Sequence, residues 1–187
     1  MADAINAKAP LIMADYLVGV ANGTMVHFST DYVYSGSLER PYLESDSTGP
    51  LSQYGKSKLA GDLGIEEIFK NHPKSRLNES RYFILRTSWV YGQGNNFIRT
   101  ILRLAQECDV VQSAAQYEKQ IRIKLKSILP ISSEEYPVAA VRPKNSRLDN
   151  RKLKLALSQL PDMGPFPRWQ DQVDEYVKQE LLNIHSS

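Results

Sequence analysis

Apolar and polar positions follow two different periods in the first part of the chain. Apolar side chains recur at helical spacing over residues 4–20, and Asn22-Gly23 is a suitable stop. Residues 24–29 then form a short apolar run between turn residues, which is typical of a buried strand. A helix followed by a short loop and a strand indicates a parallel α/β sheet. The predicted buried side of this first helix consists of Ile5, Leu11, Ile12 and Leu17.

The same rhythm returns after a loop. Residues 34–49 are dense in turn formers, and a second helix is predicted from about residue 51 to residue 70, before His72-Pro73. Residues 82–90 are rich in aromatic and β-branched side chains and predict a second strand. The predicted buried side of the second helix consists of Leu59, Leu63, Ile65, Ile68 and Phe69.

The remainder of the chain carries weaker patterns. Asn95 or Asn96 can cap a short helix. Residues 114–125 fit a helix, but residues 121–126 also alternate like an exposed strand. Basic side chains in such a pattern more often form a solvent-exposed face than a surface that binds anions or a membrane. Two further helices are predicted over residues 146–159 and 168–183.

The composition is that of an ordinary globular protein. Hydrophobic residues make up 42% and charged residues 24% of the 187 residues. The net charge of +2 is too small to indicate a nucleic-acid partner, and no apolar run is long enough to span a bilayer. The single cysteine, Cys108, forms no intrachain disulfide, and no secretory signal is visible. We therefore expect a cytoplasmic protein that binds neither nucleic acid nor a membrane.

Hydroxyl, phenol and ammonium groups are predicted to meet at one end of the sheet. Ser29 and Thr30 end the first strand, and Tyr54 and Lys58 are spaced to share one face of the second helix. Ligands of open parallel sheets bind beyond the carboxyl ends of the strands. A neighbouring ammonium favours a phenolate, so a tyrosine beside a lysine suits proton transfer to a carbonyl oxygen that Thr30 or Ser29 holds.

A structural reading of the same residues competes with the chemical one. A tyrosine and a lysine four residues apart arise readily by chance, and both are common on helix surfaces. Tyr54 and Lys58 can therefore be ordinary surface residues of the second helix.

Five segments together resemble the extended short-chain dehydrogenase/reductases, and within them the dTDP-4-dehydrorhamnose reductase family. They are residues 29–36, 50–61, 86–92, 142–149 and 169–171. The resemblance implies a partial Rossmann-like parallel sheet with flanking helices and a small, mainly helical C-terminal substrate region. It implies a cofactor-binding domain over residues 1–108 and a remnant of the substrate domain over residues 109–187.

The resemblance also implies an activity and its residues. The expected reaction is reduction of the 4-keto group of a nucleotide sugar, dTDP-4-dehydro-6-deoxy-L-mannose, by NADPH or NADH. No metal is expected to take part, and a homodimer is a possible assembly. The catalytic set is Thr30, Tyr54 and Lys58; Ser29, Tyr54 and Lys58 would bind the cofactor; Thr30, Asp31, Tyr32 and Trp89 would bind the substrate. For Trp89 the competing reading is a core residue of an apolar strand.

The chain departs from this family in one respect that bears on cofactor binding. The family holds the dinucleotide pyrophosphate on a glycine-rich turn, whereas the only Gly-x-Gly here is Gly92-Gln93-Gly94, with Phe97 in the third glycine position. We therefore expect this chain alone to bind NADPH or NADH weakly or not at all. A fragment, a spliced product and a chain completed by a partner all remain open, as does a non-catalytic or regulatory relative.

Overall fold

The computed structural model describes residues 1–20, 22–72, 80–96, 98–100, 102–103, 142–160 and 167–185. The chain divides into two compact units. The first consists of Met1–Ser88 with Val138–Asn150, and the second of Trp89–Pro137 with Arg151–Ser187. The predicted division at residue 108 into cofactor-binding and substrate-binding parts stays a prediction.

The first unit opens with a helix whose early turns are irregular. A π-helical segment, Ala4–Lys8, continues into the α-helix α1, Ala9–Val18. Pro10 lies at the start of α1, where it has no N–H to donate to the carbonyl of Asn6 four residues earlier. The side-chain amide of Asn6 donates a 3.0 Å hydrogen bond to Oγ of Ser57. The helix predicted over residues 4–20 is therefore confirmed, apart from its irregular start and its earlier end.

The buried side of α1 differs from the predicted one. Pro10, Ala14 and Val18 are buried, whereas Ile5 and Ile12 are 65% and 71% exposed. The small side chain of Ala14 suits the close approach of the second helix, because bulkier residues would hold the two helices apart. The expected apolar stripe was wrong for Ile5 and Ile12 and right in part for Leu17, which packs against the core.

Two parallel strands form the sheet of the described residues. Strand β1, Thr24–Thr30, pairs with strand β2, Arg81–Thr87, so that Ser29 faces Arg86 and Thr30 faces Thr87. Met25, His27 and Ser29 on β1 are buried, in the alternation expected of a strand with one covered face. The two predicted parallel strands are confirmed.

The second strand ends earlier than predicted. It stops at Thr87, and Trp89 adopts a φ angle of 53°. That left-handed conformation is incompatible with an extended strand. The predicted span over residues 82–90 was therefore wrong at its carboxyl end.

Helix α2, Gln53–Asn71, covers one face of the sheet. Oγ of Ser52 accepts a hydrogen bond from the N–H of Gly55 and caps the helix. Ile65 and Phe69 join Met25 of β1 in the main apolar core. Leu63, which was expected inside, is 54% exposed, because it lies on the side of α2 that faces solvent.

A loop following β1 packs on the segment that precedes the third helix. After a short 3-10 turn, Asp31–Val33, the ring of Tyr34 stacks on Tyr42 with centroids 4.2 Å apart. Tyr42 forms an isolated parallel bridge with Leu148. Residues 146–150 are thus tied to this loop, and the helix predicted from residue 146 begins only at α3, Arg151–Leu157.

In the second unit, helix α4, Trp169–His185, confirms the last predicted helix. Val177 packs with Leu102, and Oδ1 of Asn96 accepts from the N–H of Arg99, as expected of a cap. The prediction for residues 114–126 lies outside the described residues. Within the described ranges, no helix is long and apolar enough to cross a membrane, and no His, Cys, Asp and Glu side chains cluster as metal ligands.

Candidate active site

The carboxyl end of β1 presents a buried hydroxyl and a buried carboxylate. Thr30 and Asp31 are 6% and 4% exposed. Oγ1 of Thr30 donates to Oδ1 of Asp31 at 3.1 Å and accepts from the N–H of Tyr32 at 3.3 Å. The Thr30 hydroxyl thus has a fixed position where the strand turns into the 3-10 segment.

Tyr54 lies in the first turn of α2, beside this strand end. Its ring packs edge-on against the ring of Tyr32, with centroids 5.8 Å apart and an interplanar angle of 75°. Gly55 allows the close approach, because a Cβ built there would lie 2.2 Å from the carbonyl oxygen of Tyr32. Tyr54 remains 47% exposed, so its phenol is accessible to a ligand.

Lys58 follows Tyr54 by one helical turn and reaches the same strand. Its Nζ donates a 2.6 Å hydrogen bond to the carbonyl of Phe28. An ammonium carries three N–H donors, so two remain for other acceptors. Partial burial lowers the pKa of Lys58, and the carboxylate of Asp62 acts in the opposite direction.

Ser29 has a different environment from Thr30. Its hydroxyl donates a 2.8 Å hydrogen bond to Oδ2 of the fully buried Asp62. Successive strand side chains point to opposite faces, so Ser29 faces α2. Of the two hydroxyls considered for holding a substrate oxygen, the structure therefore favours Thr30, and a direct cofactor contact of the Ser29 side chain stays a prediction.

Three polar residues at this site were missed by the sequence reasoning. Asp62 approaches Nε2 of His27 at 3.4 Å and Nε of Arg86 at 3.5 Å. The only sequence signal was the position of Asp62, four residues after Lys58 and eight after Tyr54 on the same helix face. His27 and Arg86 lie within apolar strand runs and gave no signal of their own.

Trp89, a predicted substrate residue, belongs to the second unit. Its side chain is 58% exposed, so it is not a core residue. Its φ of 53° is unusual for a bulky residue, and such backbone strain concentrates at functional sites. The role of Trp89 in substrate binding stays a prediction.

The arrangement suits protonation of an oxygen. Tyr54 and Lys58 each contact a residue two positions from Thr30 along the chain, namely Tyr32 and Phe28. An exposed phenol, a nearby ammonium and a hydroxyl can together hold and protonate a carbonyl oxygen. The spare donors of Lys58 also fit the hydroxyl groups of a ribose.

The sequence matches a known family over most of its length. Residues 1–117 and 108–182 match the family described as RmlD substrate binding domain. The chain is 48% identical over 84 residues to dTDP-4-dehydrorhamnose reductase of Escherichia coli strain K12. That match covers 44% of this chain and 25% of the relative. The chain thus spans about a quarter of the length of that relative.

Solved structures resemble this chain over nearly all its residues. One is a dTDP-4-dehydrorhamnose reductase from Clostridium acetobutylicum, with a TM-score of 0.72 and 28% identity, covering 95% of this chain and 72% of the other. Another is the Bacillus anthracis reductase in complex with NADP, with a TM-score of 0.71 and 26% identity, covering 94% and 72%. The expected α/β, Rossmann-like fold is thereby confirmed.

Proposed function

The chain belongs to the family described as RmlD substrate binding domain, and we propose that it forms the part of a dTDP-4-dehydrorhamnose reductase that contains the catalytic tyrosine. The reaction is the NAD(P)H-dependent reduction of the 4-keto group of dTDP-4-dehydro-6-deoxy-L-mannose. The observation that supports it best is the placement of Tyr54 and Lys58 on one face of α2, where they contact Tyr32 and Phe28, two residues after and two residues before Thr30.

Each side chain has a role that its environment supports. The Thr30 hydroxyl, held between Asp31 and the N–H of Tyr32, turns its proton from Asp31 toward the substrate oxygen. Tyr54, half exposed beside it, gives its proton to that oxygen. Lys58, which the Phe28 carbonyl orients, stabilises the phenolate that remains.

The cofactor proposal follows from the family and from the spare donors of Lys58. NADPH or NADH would supply the hydride, and a relative has been solved with NADP. Ser29, Tyr54 and Lys58 are the proposed residues on the nicotinamide side. Oδ2 of Asp31 is buried without a hydrogen-bond partner among the described residues, and it suits a sugar hydroxyl of the substrate beside Tyr32.

Two measurements test the proposed function. Calorimetric titration with NADPH and with NADH measures cofactor affinity, and a reductase assay on dTDP-4-dehydro-6-deoxy-L-mannose at saturating cofactor measures turnover. Turnover that depends on Tyr54 supports the proposal. Cofactor binding by the folded protein without any turnover would contradict it and would favour a non-catalytic relative.

A further inference from the structure

Asp62 is a buried carboxylate that the proposed reaction does not use. Its side chain has no solvent exposure, although it lies in the middle of α2. Burying a carboxylate costs several kcal/mol unless hydrogen bonds and opposite charges compensate. The groups that compensate it therefore indicate what Asp62 holds in place.

Those groups come from both strands of the sheet. Oδ2 of Asp62 accepts the 2.8 Å hydrogen bond from Ser29 of β1 and lies 3.5 Å from Nε of Arg86 of β2. Ser29 and Arg86 are direct partners in the strand register. Oδ1 lies 3.4 Å from Nε2 of His27 but has no hydrogen-bond partner within the described residues. One carboxylate thus joins α2 to adjacent positions of β1 and β2.

Asp62 also continues the row that Tyr54 and Lys58 form on α2. The three residues are spaced by four, and each contacts β1 or the residues just after it. The apolar contacts of Ile65 and Phe69 with this sheet are not directional, whereas the bond from Ser29 to Asp62 is. A directional bond resists sliding of the helix along the strand.

We propose that Asp62 is a positioning residue, which fixes the register of α2 on β1 so that Tyr54 and Lys58 lie beside Thr30. The catalytic consequence rests on the proposed reductase function, but the positioning itself does not. Asp62 acts through Lys58 and Tyr54 and touches no reacting atom.

Asp62 also acts on the charge of Lys58. Burial lowers the pKa of Lys58, and the Asp62 carboxylate partly offsets that effect. Of the other charged and titratable groups on the packed elements, His27 on β1 and Arg86 on β2 lie within 3.5 Å of Asp62. The remaining ones are Tyr54, Lys56, Glu66, Glu67 and Lys70 on α2 and Arg81 and Tyr82 on β2. Removal of the Asp62 charge should lower the pKa of Lys58 further and increase its fraction of free amine near neutral pH.

Acetylation by acetic anhydride, followed by mass spectrometry, measures this effect without any turnover. The ratio of labelling at Lys58 to labelling at the exposed Lys56 of the same helix is the readout. In Asp62→Asn, which keeps the shape of the side chain, we expect this ratio to rise, because the carboxylate that opposes the lowering of the Lys58 pKa is removed. General loosening of the fold, in contrast, would raise labelling of both lysines together and leave the ratio unchanged.

Two further variants complete the test. Glu67→Gln removes an exposed charge from the same helix and should leave the ratio unchanged. Ser29→Ala removes the donor to Asp62 and should raise the ratio less than Asp62→Asn does. An unchanged ratio in folded Asp62→Asn overturns the proposal. Where circular dichroism shows that Asp62→Asn does not fold, Ser29→Ala decides, and an unchanged ratio there overturns the proposal.

Discussion

The ammonium of Lys58 donates a 2.6 Å hydrogen bond to the main-chain carbonyl of Phe28, two residues before Thr30 on the first strand. This contact determines where the lysine lies, because a lysine side chain is otherwise flexible. It joins the helix that bears Tyr54 to the strand that bears Thr30.

Tyr54→Phe should abolish reduction and leave the fold intact. The change removes only the phenolic hydroxyl and keeps the ring that packs against Tyr32. Loss of a general acid costs on the order of 100- to 10,000-fold in rate. The reductase assay measures this loss, and calorimetry should show unchanged cofactor affinity. Tyr16→Phe, on the exposed side of α1, is the matched control and should retain full activity.

Lys58 should limit activity on the alkaline side. Burial lowers its pKa below the ordinary value of 10.5, so the ammonium is lost at a lower pH than on an exposed lysine. The unfolded chain binds more protons between the lowered pKa and 10.5, so stability rises with pH across that window while activity falls. A pH profile of turnover measures this. In Lys58→Arg, which stays protonated, the same alkaline limb should disappear; its persistence would assign the limb to another group.

Asp46 should contribute to stability in mild acid. Its hydrogen bond with the Arg40 guanidinium lowers its pKa from 3.8 to about 2. Because the folded pKa is depressed, this stabilisation is present above pH 3.8 and is lost as the pH falls through about 2. Acid unfolding followed by circular dichroism should be less steep over this range in Asp46→Asn. Glu44→Gln, an exposed neighbour, should unfold like the parent protein.

Gly55→Ala should destabilise the protein although alanine favours helices. The added Cβ would lie 2.2 Å from the carbonyl oxygen of Tyr32, which is main chain and cannot rotate away. Overpacking of this kind costs about 1–3 kcal/mol, against a helix gain of about 1 kcal/mol or less. The displacement should also separate Tyr54 from Thr30 and lower turnover.

Gly64→Ala on the same helix is the comparison for Gly55→Ala. The three atoms nearest to its added Cβ all belong to the side chain of Leu11, which can change rotamer. Thermal unfolding should therefore show a smaller loss of stability in Gly64→Ala than in Gly55→Ala. Equal losses would show that the contact with Tyr32 is not the cause.

Several features of the fold and site followed from the sequence by itself. The two strands and the two long helices were predicted because apolar periodicity records which face each element buries. The shared face of Tyr54 and Lys58 was predictable because a spacing of four places side chains one above the other on any α-helix. The family resemblance, carried by the residues around Thr30 and Tyr54, was confirmed by the match to the RmlD substrate binding domain.

Other features were decided only by tertiary structure. Ala14 is buried and Ile12 exposed, because helix packing selects side chains by the space between two helices and not by hydrophobicity alone. Leu148 lies outside the helix that was predicted to begin at residue 146, because Tyr42 in a distant loop forms a parallel bridge with it. Apart from its spacing from Lys58 and Tyr54, Asp62 gave no sign of its proposed role. A carboxylate in a helix is usually a surface residue, and only the fold brings Ser29 and Arg86 to it from two strands.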